Sequence, residues 1–303
     1  MTGPCFEKRD QDGYLALRAG LVFALYFRNS HRDVAERVGR VLGKYVQFVG
    51  ADALKFTHVG EEMRPLTEKR WARELKELTA QSRKKWCELT FASEDAAAPE
   101  YKFTYEGCDL VASEREYGNT TEMSFIEAVY ANSIVETRGC VAIVGHFLEL
   151  SSLLPASSGY ASLALNWTDS SQIAVEQFAW PLAKRHPGLD LHDPSATSFD
   201  LHSRVRNAYW LTILGHEQLA ALKLTPAALR ERLGPEILVH DLPHGVAIQA
   251  GEAPELGDVN RGERLPLVRK VAKVIEPILY RPHAYFGAPT HDDFVEWERR
   301  HLL

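Results

Sequence analysis

No stretch of the chain reaches about 18 uninterrupted apolar residues, the length a bilayer-spanning helix needs, so a membrane-embedded chain is not expected. The opening residues MTGPCFEKRD lack a basic region followed by an apolar one, and a cytoplasmic location is the expectation. Cysteine is sparse. Cys5, Cys87, Cys108 and Cys140 are widely separated with no CxxC pair, which speaks against both a zinc knuckle and a secreted disulfide framework; reduced thiols are expected. Neither GxGxxG nor GxxxxGK[ST] occurs, and a phosphate-cradling loop needs such clustered glycines so that backbone N–H groups can approach the anion. The GxSxG elbow of a serine hydrolase is missing too, because Ser157-Ser158-Gly159 lacks the first glycine and reads as a turn into a strand.

Positive charge is also in deficit. Lysine and arginine total 35 against 41 aspartate and glutamate, a formal net charge of -6, which argues against non-specific nucleic-acid binding. The helix expected from Glu68 to Lys85 is basic and is read as carrying Trp71 and Trp86 at and beyond its face. No RNA-recognition or helix-turn-helix pattern accompanies it, so a solvated helix face is expected.

What the chain does have is the material for a large core: 303 residues, 45% hydrophobic and 25% charged, the balance of an ordinary globular protein. Its organising stretch is Leu15 to Phe27, LALRAGLVFALYF, with Leu15, Leu17, Ala19, Leu21, Phe23, Leu25 and Phe27 on alternate positions. A period of two is the mark of a strand, and small or apolar residues on the other face predict a central one. Its length of thirteen residues predicts a bend or bulge near Gly20.

Along the chain, Asn29-Ser30 predicts a helix from Arg32 to Val49, and Thr67 a second helix to about Lys85. Cys87–Ala92, Tyr101–Ala112 and Glu122–Phe125 read as an antiparallel meander. Ser133-Ile-Val-Glu136 has capping-box spacing and predicts a third helix to Leu154, although Val141–Phe147 also suits a strand. Gly159–Asn166 reads as a strand, Asp169-Ser170 as the cap of a helix kinked near Pro181, and Asp190–Phe199 as a loop. Beyond it come a strand at Tyr209–Leu214, a helix at Pro226–Leu233 behind Thr225, a hairpin of Ile237–His240 and Val246–Ala250, and a helix at Leu265–Leu279. The fold class is α+β, a mixed, largely antiparallel sheet with packed helices. The expected divisions are a tail at 1–12, a domain at 13–282 with room for two intimate halves (13–189 and 200–282), and a tail at 283–303 bearing His283 and Trp297.

Charge is segregated. From Glu94 to Glu136 ten acidic residues face only Lys102 and Arg115, while Arg64–Lys85 is basic. These segments read either as solvated faces that offset one another or, for the acidic one, as a docking surface for a basic partner, because complementary potential speeds encounter and fixes register. On that second reading the partner-binding residues are Glu94, Asp95, Tyr101, Tyr105, Glu106, Asp109, Glu114, Glu116 and Tyr117, the three tyrosines serving as aromatic anchors.

Among histidines, His240-Asp241-Leu242-Pro243-His244 is the most suggestive metal-ligand set, though Pro243 and Gly245 mark a turn that denies it the helical spacing of HExxH. His192-Asp193 and Asp200 with His202 hold the residue types of a base and its orienter, and His146 on an apolar stretch reads as a core histidine.

Three stretches, in this order and spacing, resemble the type VI secretion immunity protein family, long known only as a domain of unknown function. They are RAGLVFALYFRN (Arg18–Asn29) with the following helix ending in KYVQFVGADALKF, LSSLLPASSGYASLALN (Leu150–Asn166), and AGEAPELGDVNRG (Ala250–Gly262) with its Gly257-Asp258-Val259-Asn260 loop. The resemblance covers roughly residues 10–282. It implies a non-enzymatic protein without cofactor that binds the active domain of a co-produced antibacterial toxin in the cytoplasm and prevents self-killing; in related systems the toxin is often a nuclease whose catalytic or DNA-binding surface is covered. No catalytic residue is carried over. Gly159 and Gly257 are expected to serve turns, and Asp258 and Asn260 to bond local backbone. The competing reading is a metal-dependent hydrolase built on His240, Asp241 and His244. Self-association is left open, because the central strand's faces can be covered within the chain or by a second copy.

Overall fold

The computed structural model describes residues 6–60, 62–80, 86–118, 121–167, 172–191, 193–281 and 290–303, with backbone alone at 116–117 and 172–176. In chain order, β1 (Glu7–Arg9) and β2 (Leu15–Phe27) lead to α1 (His31–Val49), then β3 (Phe56–Val59), β4 (Glu62–Pro65) and α2 (Glu68–Thr79). Next come β5 (Trp86–Ala92), β6 (Lys102–Cys108), α3 (Leu110–Tyr117), β7 (Ser124–Ala131), α4 (Ile134–Arg138), α5 (Cys140–Leu153) and β8 (Ser158–Asn166). The remainder is α6 (Gln172–Arg185), β9 (Leu189–Leu191), α7 (Pro194–Asp200), β10 (Leu211–Gly215), α8 (His216–Leu222), α9 (Pro226–Leu233), β11 (Ile237–Leu242), β12 (Gly245–Ala250), α10 (Pro266–Ile275) and α11 (His291–Glu298).

One sheet threads through all of these strands in the order β11-β12-β10-β8-β2-β7-β6-β5-β3-β4, with β1 beside the start of β2 and β9 beside the end of β8. Every pairing is antiparallel except β8 with β9. The expected α+β class holds, and β2 is indeed central, flanked by β7 and β8. The bulge expected near Gly20 is displaced: β2 pairs with β8 without a shift from Arg18 to Tyr26, and the irregularity falls at Ala16 of β2, which is skipped between the pairs Lys8 with Leu17 and Arg9 with Leu15. Gly20 answers a different need, because a Cβ there would stand 2.7 Å from the Tyr130 carbonyl oxygen. Gly159 likewise lies inside β8 and not in a turn; a Cβ would meet the Ala24 carbonyl oxygen at 2.6 Å.

Alternation along β2 separates two cores. Leu21, Phe23, Leu25 and Phe27 join one packed under α1, α2 and α5, with Val38, Leu42, Tyr45 and Phe147. Ala24 and Tyr26 point the other way, to Tyr160, Leu201 and Tyr209. On this second face α7 lies on β7, α8 on β10 and α10 on β12, while α6 packs on the first face against Leu17 and Ala19 of β2, Leu163 and Leu165 of β8 and Leu189 and Leu191 of β9. Among the described residues no helix is long and apolar enough to cross a membrane.

Several expectations about local structure are corrected. Asp109–Ala112 does not extend its strand; Asp109 accepts from the Ala112 N–H through Oδ1 (3.3 Å) and starts α3. The helix expected from Ser133 to Leu154 is two, separated at Gly139, whose φ of 78° breaks the helical path. Stretch 190–199 holds the end of β9 and most of α7 where a loop was expected. Trp86 opens β5 and does not extend the basic helix, which ends at Thr79; residues 81–85 lie outside the described part, as do Cys5, Asp169, Ser170, His192 and His283. Residues 290–303 are packed into the body and do not trail from it: Phe294 and Trp297 are buried with Trp180 and Ala183, and the Trp297 indole donates to the Ala183 carbonyl at 3.2 Å.

Candidate functional site

The register of the ladders decides what the second face displays at its far end. Ala24, Glu127, Thr104 and Thr90 form one cross-strand row over β2, β7, β6 and β5, and Tyr26, Phe125, Glu106 and Glu88 form the next. Leu89 and Phe91 of β5 and Phe103 and Tyr105 of β6 face the opposite, helix-covered core. Along β5 and β6 the residues of this second face are Trp86, Glu88, Thr90, Thr104 and Glu106; Thr90 and Thr104 are buried, Glu106 is half-buried, and Trp86 and Glu88 are exposed at the outer end of the pair. Trp86 is 41% exposed. From the neighbouring helix α7, Ser195 donates to Glu106 Oε2 at 3.4 Å, and Phe199, one helical turn on and 46% exposed, shares that side of the helix.

Glu106 is the electrostatic centre of this face. Burial raises its carboxyl to about 7, and the Glu88 carboxylate directly opposite adds to the shift, with smaller contributions from Glu127 and Asp193 against the Ser195 hydrogen bond. Lys102 on the same face is engaged with Glu127 at 2.9 Å.

The acidic stretch singled out from the sequence is therefore not one patch. Seven residues of β6 span roughly 20 Å. At one end Glu94 is held by Arg18 at 2.7 Å, and the Asp95 carbonyl accepts from the Tyr14 hydroxyl at 2.8 Å. At the other end Asp109 caps α3 and Glu114 is exposed on it; the side chains of Glu116 and Tyr117 lie outside the description. Tyr101 is half-buried against the first core. Tyr105 is fully buried, hydrogen-bonded to His31 Nδ1 at 3.0 Å, and cannot reach a partner as an anchor. The basic α2 lies on the other side of the sheet, where Arg73 pairs with Glu74 of its own helix at 2.8 Å, so it does not offset the acidic face. Sequence reading missed Trp86, Glu88, Ser195 and Phe199. The alternation of Trp86, Glu88 and Thr90 with Cys87, Leu89 and Phe91 was an available signal for the first two.

The histidine set does not assemble. His240 Nε2 is 2.9 Å from Gln249 Oε1, Asp241 pairs with Arg230 at 2.6 Å, and alternation along β11 puts the two on opposite faces. His244 sits where burial, Arg37 and His216 lower its pKa, an environment that repels a cation. Among the described residues no group of three histidine, cysteine, aspartate or glutamate side chains is arranged to hold a metal ion. Asp193 caps α7 through the Ala196 N–H (2.9 Å), and His202 bonds Ser203 (2.9 Å); His192 lies outside the described residues. His146 is a core histidine, stacked on Phe48 and 2.9 Å from the Tyr130 hydroxyl.

The largest polar assembly is buried on the second face. Arg206 Nη1 donates to Asp190 Oδ2 (2.7 Å) and the Tyr160 hydroxyl (2.6 Å), and Nη2 to the Leu191 carbonyl (2.6 Å); Glu298 of α11 stands 3.5 Å away. Tyr209 donates to Asp190 Oδ1 at 3.1 Å. Burial pushes the Glu298 carboxyl up while Arg206 and Arg300 pull it back. Through these bonds the assembly joins α11 to β8 and β9. The Gly257-Asp258-Val259-Asn260 loop is likewise a structural tie. Its Asp258 accepts from the Asn260 N–H (2.9 Å) and pairs with Arg185 (2.7 Å), and the Gly257 carbonyl lies 2.7 Å from His186 Nδ1.

Pseudomonas aeruginosa T6SS protein PA0821 has the same fold, with a TM-score of 0.82 over 98% of this chain and 87% of that chain at 20% identity. No curated protein matches the chain. Residues 37–301 match the family described as TsiV, type VI immunity for VRR-NUC, a span that runs from within α1 through the buried arginine assembly to α11. The chain belongs to the TsiV family of type VI immunity proteins.

Proposed function

We propose that the chain neutralises a cognate VRR-NUC nuclease toxin, without enzymatic activity of its own, by binding the toxin domain in the cytoplasm and covering its active or DNA-binding surface. The observation that carries this reading is the family match over residues 37–301. A nuclease surface that holds DNA must be cationic, because the phosphate backbone supplies most of its affinity. An acidic inhibitor surface competes for the same cations. The end of β5 and β6 with Glu88 and Glu106 supplies such a surface, with Glu94 and Asp95 beyond one end of β6 and Asp109 and Glu114 beyond the other as rim charges that speed encounter. Tyr101 is the one tyrosine of the expected anchors described as partly accessible.

The test is survival. Cells expressing the VRR-NUC domain of the toxin encoded beside this gene should lose viability, and co-expression of this chain should restore it. Undiminished killing with the chain present at equal level would overturn the proposal.

A further inference from the structure

We infer that the notch at the exposed outer end of β5 and β6, formed by Trp86, the Glu88–Glu106 pair and Phe199, receives an arginine-bearing cationic segment of the partner protein. This inference rests on the immunity reading above and names where and how the partner is held.

The first argument is the arrangement of charge. Glu88 and Glu106 are direct cross-strand partners, which places their Cβ atoms about 5 Å apart on one face. Like charges so placed destabilise a sheet. Among the described residues, two cations near this face are occupied: Lys102 holds Glu127 at 2.9 Å, and Arg18 holds Glu94 at 2.7 Å and Glu7 at 3.3 Å. Among the described residues neither Glu88 nor Glu106 enters an ion pair. Two facing carboxylates match the planar fork of a guanidinium, which can donate to both, better than the point charge of an ammonium.

The second argument is the aromatic border. Trp86 stands two residues from Glu88 on the same face, about 7 Å along the strand, and is exposed where tryptophan is ordinarily covered. A guanidinium lying between the carboxylates can stack on an indole at that distance. Phe199 borders the notch from the α7 side, where Ser195 already reaches Glu106. Exposed aromatics beside paired charges are the composition of an interface centre, and here Trp86 and Phe199 are 41% and 46% exposed.

The groups facing Glu106 are Glu88 on β5, Glu127 on β7 with its Lys102 partner, and Asp193 and Ser195 at α7. Among the described residues the uncompensated charge facing Glu106 is negative, and burial, with the Glu88 carboxylate adding to it, raises the Glu106 carboxyl to about 7, so part of its population is protonated near neutrality. An arriving guanidinium expels that proton, so formation of the complex at pH 7 should release protons to the buffer.

The experiment is calorimetric titration of the full chain with a catalytically inactive VRR-NUC domain from the toxin encoded beside this gene, in phosphate and in Tris buffer. Wild type should bind with an enthalpy that differs between the buffers. W86A and the E88Q/E106Q pair should each weaken binding at least about tenfold, and E88Q/E106Q should abolish the buffer dependence while leaving thermal stability intact or higher, since it removes the repulsion. Tight wild-type binding that both variants reproduce within about twofold, or that shows no buffer dependence, would overturn the notch and leave immunity standing. Absence of any wild-type complex would overturn both.

Discussion

Arg206 Nη1 lies 2.7 Å from Asp190 Oδ2 in an interior where both side chains are almost wholly shielded from water. Breaking such a pair leaves the surviving charge unsolvated, a cost of about 3–5 kcal/mol. Arg206→Met should lower unfolding free energy by that amount in a denaturant titration. Because the loss comes from stranded Asp190 and not from packing, the double variant Arg206→Met with Asp190→Asn should recover part of it. A single variant as stable as wild type would show that the pair contributes nothing to the docking of α11.

Gly159→Ala tests the close approach of β8 to β2. The new methyl would sit 2.6 Å from the Ala24 carbonyl oxygen and 2.7 Å from Leu25 Cδ2, neither of which can retreat without shifting the central pairing. Destabilisation of about 1–3 kcal/mol is expected, read as a lower denaturant midpoint with an unchanged slope. Gly43→Ala, where a Cβ meets nothing within 4 Å, is the control and should be neutral or mildly stabilising.

Acid should unfold the protein partly through His146. Burial lowers its pKa to about 4, below the value of 6.5 in an open chain, so the unfolded state binds the proton first. Its contribution to stability is intact above pH 6.5 and is lost as pH falls from there toward 4. His301, also lowered by burial, acts in the same direction. Thermal unfolding followed from pH 7 to pH 4 should show a steep fall, flattened in His146→Gln; parallel profiles would contradict the assignment.

Glu106 should act in the opposite sense. Its carboxyl is raised to about 7, so the folded state holds a proton that the unfolded state releases near pH 4.5. Stability from this group is present at pH 4.5 and lost as pH rises through 7. Glu106→Gln should therefore gain stability over wild type at pH 8 and match it at pH 5. The gain should be about 1–2 kcal/mol, less than the full shift because water reaches the pair. An equal effect at both pH values would mean that Glu106 carries an ordinary carboxylate.

Much of the scaffold was legible in the chain, for local reasons. Thr225 before Pro226 announces α9, and the structure places that helix at Pro226–Leu233 with the Thr225 hydroxyl accepting from the Ala228 N–H. The period of two in Leu15–Phe27 identifies β2 because both of its faces are buried. What could not be read is whatever depends on distant partners. Trp297 reads as a tail residue because the carbonyl it bonds, Ala183, lies 114 positions earlier. The acidic stretch was visible as charge, but which carboxylates share a face follows from the β5–β6 register, and that register pairs Glu106 with a Glu88 outside the stretch. Tyr105 was misjudged for the same reason, since one step along β6 moves a side chain from the second face to the first core. The cap at Asp109, by contrast, was a readable signal that the apolar alternation after it obscured.

The central claim is neutralisation by direct contact, and it is tested most directly by measuring DNA cleavage by the purified VRR-NUC domain while this chain is titrated in. The account predicts that cleavage falls linearly to zero at one equivalent, with a dissociation constant in roughly the nanomolar range. Cleavage that persists at about tenfold excess of this chain would contradict it.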